Sequence, residues 1–412
     1  MQKNKILLIL ISLMLIIPLI SCEGQKKKKE YQKHLSQGEK FYSESDFEKA
    51  IAEFKLAAEI KPKSDEAYQN IAVCYSNLFL TLTDPSQKSK AVEAANNAIT
   101  YYQKVVELKP KDAAEAQLNI SNEYAKIGNL YMNDGQFPDA MPYLKKRVEI
   151  DPNNAEGYYT IGVLNWGLCF DNRKLYNILS MKDYINNIKA KENSLQQISR
   201  ASEIGKEAAL QVLDAINTDE GTILGKLDKK ALISQIASIP KIKKEYGEKA
   251  VDCITSSPQD ILSCIGKIEG INPEEVKKIR SILSKSPENL SNYIPLAVNG
   301  VNKNAAAKAM DKIIDLVKYE AIDDGLKSLN KSVELNKNYP DAYNYIVLLY
   351  VEKIKIEKDK SKQDEDINIA ADNAAKASKL RDPGKTDDII NKEVEGFKKA
   401  VDKVRGKGRT ES

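Results

Sequence analysis

His34 is the only imidazole in the 412-residue chain. A histidine-based triad or a His-rich metal site would therefore have to be built around that one residue. The five cysteines are Cys22, Cys74, Cys169, Cys253 and Cys264. They form no Cys-x-x-Cys pair and no Cys/His cluster, which removes the usual zinc spacings. Gly384-Lys385-Thr386 has the ending of a phosphate-binding loop, but the position of its required upstream glycine is Lys379 and no strand precedes it. Gly-x-Ser-x-Gly, His-Glu-x-x-His and calcium-loop spacings are absent. Asp323-Asp324 and Asp364-Glu365-Asp366 read as solvated helix faces. The expectation is a protein that catalyses nothing and needs no cofactor, metal or nucleotide.

The residues that remain are suited to contact, so the elements that carry them come next. Charged residues make up 30% of the chain, and its formal net charge is +4. So small a surplus argues against a nucleic-acid footprint. Lys, Glu, Asp, Ala, Ile and Leu dominate, most prolines fall between apolar-periodic segments, and strand-like alternation is missing. An all-α fold follows.

Lys3 and Lys5 precede an apolar run from Ile6 to Ile20. As a helix that run spans about 22 Å, short of the ~30 Å hydrocarbon core of a bilayer, so it reads as an export signal. Leu19-Ile20-Ser21-Cys22 resembles the lipobox of bacterial lipoproteins. The resemblance implies cleavage before Cys22, a diacylated thiol and a stable lipid anchor. The plainer alternative is an ordinary signal peptide with a chance cysteine. Residue 23 is Glu where the enterobacterial inner-membrane signal has Asp. By that analogy the protein is expected in the cell envelope, lipid-anchored at the outer membrane and facing the periplasm. Residues 1–21 are then the signal peptide. Residues 22–30, with Lys26 to Lys29, form a polar tether that either touches anionic headgroups or is a solvated leash.

Beyond the tether a repeat appears. From Tyr31, the residues Gly38, Phe41, Ala50, Phe54, Ala57 and Pro62 recur at helix–turn–helix spacing. From Asp65, Tyr68, Ile71, Ala72 and Tyr75 follow, with Ala98, Tyr102 and Pro110 behind them. From Ser121 the set is Tyr124, Ile127, Gly128, Tyr131, Ala140, Leu144 and Pro152. A fourth begins with Tyr158, Ile161 and Gly162 but has Asn165 at its eleventh position. Small residues at the eighth and twentieth positions let paired helices A and B approach closely, and the proline stops helix B. This pattern resembles the tetratricopeptide repeat (TPR) over Tyr31–Gly162 and again over Glu320–Pro383. In the later stretch Gly325 and Leu329 fit a helix B, and Tyr343, Ile346 and Tyr350 fit another helix A. The chain is also similar to TPR lipoproteins of Gram-negative-type bacteria.

The resemblance implies an α-α superhelix, a TPR solenoid with a helical insertion. The expected parts are repeats over 31–170, an insertion over 171–318, TPR-like repeats over 319–383, a capping helix over 384–405 and a tail over 406–412. The fourth repeat's helix A is thereby separated from its helix B. The second repeat is 14 residues longer than the 34-residue standard, and both of its helices are expected to be lengthened. Asp183 to Ile216 reads as one long helix. Cys253 and Cys264 flank Ser256-Ser257-Pro258, which leaves a disulfide and two buried thiols both open. Cys74 and Cys169 read as core cysteines.

In TPR stacks helix A lines the concave face. The positions facing it give a candidate partner-binding groove of Asn70, Asn77, Lys126, Asn129, Asn133, Tyr159, Trp166, Asn344 and Tyr345. Asparagine amides suit an extended peptide backbone, and Tyr159 and Trp166 suit anchoring. Trp166 reads equally as core of the insertion junction. A terminal-carboxylate clamp is excluded, since Leu35, Glu39 and Asn122 occupy three of its five places. The expected function is a membrane-anchored protein-interaction scaffold with a protein partner in the envelope. The alternative is a carrier of a lipid or other apolar ligand held between insertion and solenoid.

Overall fold

A computed structural model describes residues 24–170, 179–217, 244–256, 267–271, 294–295 and 298–405. The expected signal peptide, Cys22, Cys264 and the tail lie outside these residues. The described residues are helical and contain no strand. None of their helices is long and apolar enough to cross a membrane. The chain divides into two compact units, one of residues 24–135 and 139–157, the other of residues 136–138 and 158–405.

The first unit begins with helix α1 (24–43), followed by α2 (Phe47–Ile60), α3 (Asp65–Thr81), α4 (Lys88–Leu108), α5 (Ala114–Asn133) and most of α6 (Phe137–Ile150). Their ends are set by local chemistry. Asp46 caps α2 by accepting from the Lys49 amide at 3.2 Å, and Ser64 caps α3 from the Ala67 amide at 3.3 Å. Gly135, at φ 70°, makes the left-handed turn before α6. The eighth-position residues Gly38, Ala72 and Gly128 are all buried. A Cβ on Gly38 would lie 2.5 Å from the Phe54 ring, and one on Gly128 would lie 2.6 Å from Leu144 Cδ2. The repeat's small residue thus meets the large residue of its own helix B, and no side chain fits between them.

Lengthening of the second repeat falls mainly on helix B. Helix α4 has 21 residues against 14 in α2 and α6, whereas α3 has 17. The rest of the excess lies in the connection carrying the 3-10 turn Pro85–Gln87, where Pro85 and the Asp84 cap break the chain. The polar segment expected as a tether is helical from Gly24, and α1 runs through it without interruption.

The second unit holds α7 (Ala155–Phe170) from its fourth residue onward, then α8 (Lys182–Ala190), α9 (Glu192–Ser202) and α10 (Lys206–Asn217). After these come α11 (Lys244–Ser256), α12 (Lys303–Leu335), α13 (Pro340–Ile356), α14 (Lys360–Arg381) and α15 (Asp387–Asp402). The single helix expected over 183–216 is three. Lys191 is extended at φ −98° and ψ 109°, and Glu203 is left-handed at φ 58°. Tyr184, Ile185 and Ile188 of α8, Ile198 of α9 and Val212, Leu213 and Ile216 of α10 are buried. Helix α12 has 33 residues, about 50 Å of helix, and its buried residues recur from Ala305 to Ser332. It crosses the expected 318/319 boundary without a break, so insertion and late repeat share one helix.

The fourth repeat closes across the insertion. A Cβ on Gly162 would lie 2.3 Å from Leu329 Cγ, and one on Gly325 would lie 2.9 Å from Asn165 Cβ. Leu329 stands to Gly162 as Phe54 does to Gly38. Tyr184 of the insertion donates to Asn165 Oδ1 at 2.7 Å and lies 2.8 Å from Asp324 Oδ2. A phenol from α8 is therefore bonded to the eleventh-position residue of this repeat, where the third has Tyr131. At the other end α15 lays Phe397, Val401 and Val404 against Ile354 and Ile367.

Candidate functional site

The helix-A positions can be followed in each unit separately. In the first unit, α1, α3 and α5 stand side by side. Asn77 Nδ2 reaches Tyr42 Oη at 3.2 Å, which ties α3 to α1, and also donates to the Val73 carbonyl at 2.9 Å. Ser76 ties α3 to α5 by donating to Glu123 Oε1 at 2.6 Å. Lys126 closes the same network, with Nζ 2.8 Å from Glu123 Oε1 and 2.6 Å from Ser76 Oγ. Glu123 is only 2% exposed, so the lysine offsets a buried carboxylate.

This placement revises Lys126. Sequence position offered it as a partner contact; the structure makes it a strut between two helices. Ser76 and Glu123, which do the joining, were not among the expected residues. The Glu-x-x-Lys spacing was a visible signal for half of that network. Asn77 is likewise committed through its amide nitrogen. What remains on this wall is Asn70, half-buried on α3, and Asn122, Asn129 and Asn133, exposed on α5. Among the described residues these four side chains make no hydrogen bond. Asn129 and Asn133 are about 6 Å apart along the helix, close to the ~6.7 Å between alternate residues of an extended chain.

The wall of the second unit is aromatic. Tyr159 lies 4.8 Å from Tyr339 and 5.6 Å from Tyr345, centroid to centroid. Trp166 stands edge-on to Tyr345 at 5.3 Å and stacks on Phe170 at 4.7 Å. The expected residues Tyr159, Trp166 and Tyr345 are thus brought together although α7 and α13 are far apart in sequence. Burial raises the pKa of the Tyr159 hydroxyl and keeps it protonated. Trp166 Nε1 is buried with no hydrogen-bond partner. Phe170, at 58% exposure, extends the patch to the surface. Asn344 is engaged differently from expectation: it faces Arg381, and with its amide oxygen turned inward it accepts from Nη1 at 2.8 Å. Arg381 also pairs with Asp341 at 2.6 Å.

Cys74 and Cys169 are free and buried, and burial pushes both thiols up to about 12, so neither is a nucleophile at neutral pH. Cys253 is disulfide-bonded, and Cys264 lies outside the described residues.

Residues 124–154 match the family model described as Tetratricopeptide repeat. The chain therefore carries a TPR unit over the end of α5, α6 and the following turn. No curated protein matches the chain. Among solved structures it is similar to the TPR2AB-domain–pHSP90 complex of yeast Sti1, with 14% identity over 91% of this chain and 99% of that one, at a TM-score of 0.20. It is also similar to the structure of Naa15/Naa10 bound to HypK-THB, with 14% identity over 96% of this chain and 65% of that one, at a TM-score of 0.17. Superpositions that poor carry no argument. The repeat is established by the matched stretch, with the same crossing at Gly38, Gly128 and Gly162.

Proposed function

We propose that this protein is a membrane-anchored interaction scaffold of the cell envelope. In this reading it holds an extended segment of a partner protein on the helix-A wall of its first unit and catalyses no reaction. The observation that carries the reading is the run of uncommitted amides at Asn70, Asn122, Asn129 and Asn133. Each amide offers both a donor and an acceptor, which is what a polypeptide backbone in extended form requires. Such contacts read main chain before side chain, so the partner segment is recognised chiefly by being extended and unpaired. Support for the anchor comes from the sequence alone, from the lysines, apolar run and lipobox-like Leu19–Cys22. Glu23, where the inner-membrane signal has Asp, supports the outer membrane, facing the periplasm, as the site of anchoring in this reading.

Site-specific photocrosslinking in intact cells tests the wall. Crosslinkers at Asn129 and Asn133 are expected to trap one defined protein, and a crosslinker at Asn96 on α4 to trap none. Adding Asn122→Lys should abolish the adduct. Equal labelling from Asn96, or an adduct indifferent to Asn122→Lys, rejects the groove. Mass spectrometry of the N-terminal peptide tests the anchor, because an unacylated Cys22 removes it.

A further inference from the structure

Charge on the first unit is sorted by edge. The helix pairs run antiparallel, so the start of α1 shares an edge with the turns from helix B to the next helix A. Contacts fix this: Lys61 Nζ lies 5.0 Å from the Tyr31 ring centroid, and Tyr31 Oη is 2.6 Å from Ser64 Oγ. Lys109 Nζ is 2.5 Å from Asp65 Oδ2, which brings the α4–α5 turn to the same place. Both turns read Lys-Pro-Lys, as Lys61-Pro62-Lys63 and Lys109-Pro110-Lys111, and Lys26 to Lys29 fill the first turns of α1. All eight of these lysines are exposed. Across segments 24–30, 61–66 and 109–112 they face four carboxylates, Glu30, Asp65, Glu66 and Asp112, leaving a surplus of four positive charges. The opposite edge, over 43–49, 82–90 and 133–135, has three lysines and five carboxylates, a surplus of two negative charges. The next B-to-A turn, Asp151 to Asn154, holds no lysine, so the basic stretch is confined to the side where the chain enters.

Helix α1 begins two residues after Cys22, a distance the backbone spans in at most about 7 Å. Four consecutive lysines on a helix cover nearly its whole circumference, so some face the bilayer whatever the rotation of α1.

We propose that the edge formed by Lys26–Lys29, Lys61, Lys63, Lys109 and Lys111 rests on an anionic phospholipid surface and stands α1, α3 and α5 upright on the membrane. The proposal builds on the anchoring reading. Juxtamembrane lysines within a Debye length of anionic headgroups are attracted to them, and attraction from several turns resists tilting in a way a lipid anchor at one residue does not. The carboxylate-rich edge is then directed away from the membrane.

The test uses the full protein purified from its own membranes and reconstituted in nanodiscs. One set is phosphatidylcholine alone; the other contains phosphatidylglycerol. Lysine acetylation is read residue by residue. In the anionic discs the eight lysines are expected to lose reactivity by several-fold, while Lys40 and Lys90 keep theirs. Raising the salt to about 0.5 M should restore most of the loss. Equal reactivity in the two discs overturns the proposal. So does protection in both, which would point to a protein contact. The variant Lys61→Gln/Lys63→Gln/Lys109→Gln/Lys111→Gln changes only exposed residues and should reduce the lipid-dependent difference at Lys26–Lys29 by about half or more. The mass of the N-terminal peptide keeps the two readings apart. If Cys22 carries no lipid, the anchor fails, and sedimentation with the same lipids as vesicles decides the basic edge: pelleting with phosphatidylglycerol alone keeps it, and no pelleting removes it.

Discussion

The two units build the same helix crossing and present opposite chemistry on it. In the first, Gly38 and Gly128 meet Phe54 and Leu144 within single repeats, and the wall beside them is made of amides. In the second, Gly162 meets Leu329 across an insertion, and the wall is Tyr159, Tyr345, Trp166 and Phe170. The crossing depends on backbone proximity, so it tolerates interruption as long as a small residue faces a large one. The wall depends only on the outward positions of helix A, which the crossing leaves free to vary. A repeat fold can thus keep its frame while changing what it is able to hold.

The sharpest break of this comparison is at the glycines. Gly162→Val and Gly128→Val should each cost at least about 3 kcal/mol, through overpacking against a helix that cannot withdraw. Gly162→Val should cost more, because the added Cβ meets Leu329 at its branch point. Denaturant unfolding with residue-resolved hydrogen exchange measures both; a Gly162→Val protein of normal stability would dismiss the shared crossing. Next in size is Tyr184→Phe, which leaves Asn165 and Asp324 short of a buried hydrogen bond. A loss of about 1–3 kcal/mol is expected, with faster exchange in α8 and α12 and none in α2 or α3.

Trp166→Ala and Asn129→Lys/Asn133→Lys separate packing from binding. The first should cost about 1–3 kcal/mol through lost aromatic contacts. The second should stay within about 0.5 kcal/mol of the parent and yet lose the crosslinked partner. If the asparagine variant keeps its partner, the amide wall is ordinary surface.

The smallest effect is with pH. Burial holds Asp366 in the second unit above the ordinary 3.8, whereas hydrogen bonds from Lys49 and Lys109 hold Asp46 and Asp65 in the first below it. A raised carboxyl binds its proton more tightly when folded, so its contribution grows as pH falls through the folded value. A lowered one contributes above the unfolded value and loses that contribution as pH falls through the folded value. Acidification from about pH 6 to about pH 3.5 should therefore slow exchange around α12–α14 relative to α2–α3. The reverse order would contradict the assigned burial.

Much of this was legible in the residues. Gly38, Ala72, Gly128 and Gly162 announce close crossings because nothing larger fits there, and Leu329 was recognisable as the missing partner of Gly162 by position alone. The convergence of Tyr159, Trp166 and Tyr345 followed from their outward positions. The break of 183–216 at Lys191 was not legible, since Lys191 carries no breaker chemistry, whereas the break at Glu203 lies beside Gly205, a helix-stop signal that was visible. The internal contacts of Lys126 and Asn344 were not legible for a related reason. Their partners, Ser76 and Arg381, lie on other helices, and spacing within one helix cannot show them. The same held for α1, where the lysine run reads as a leash yet continues into the Tyr31 turn as helix.

The split fourth repeat has a further consequence. Phe54 follows Gly38 by 16 residues, while Leu329 follows Gly162 by 167. A chain emerging from its N-terminus can complete its early crossings almost as soon as they appear, but this one must wait until Leu329 has been made and then close a far longer loop. During that interval the face of α7 that will receive Leu329 has no partner from its own repeat, so the order of synthesis leaves an apolar surface of α7 waiting for a segment still to come.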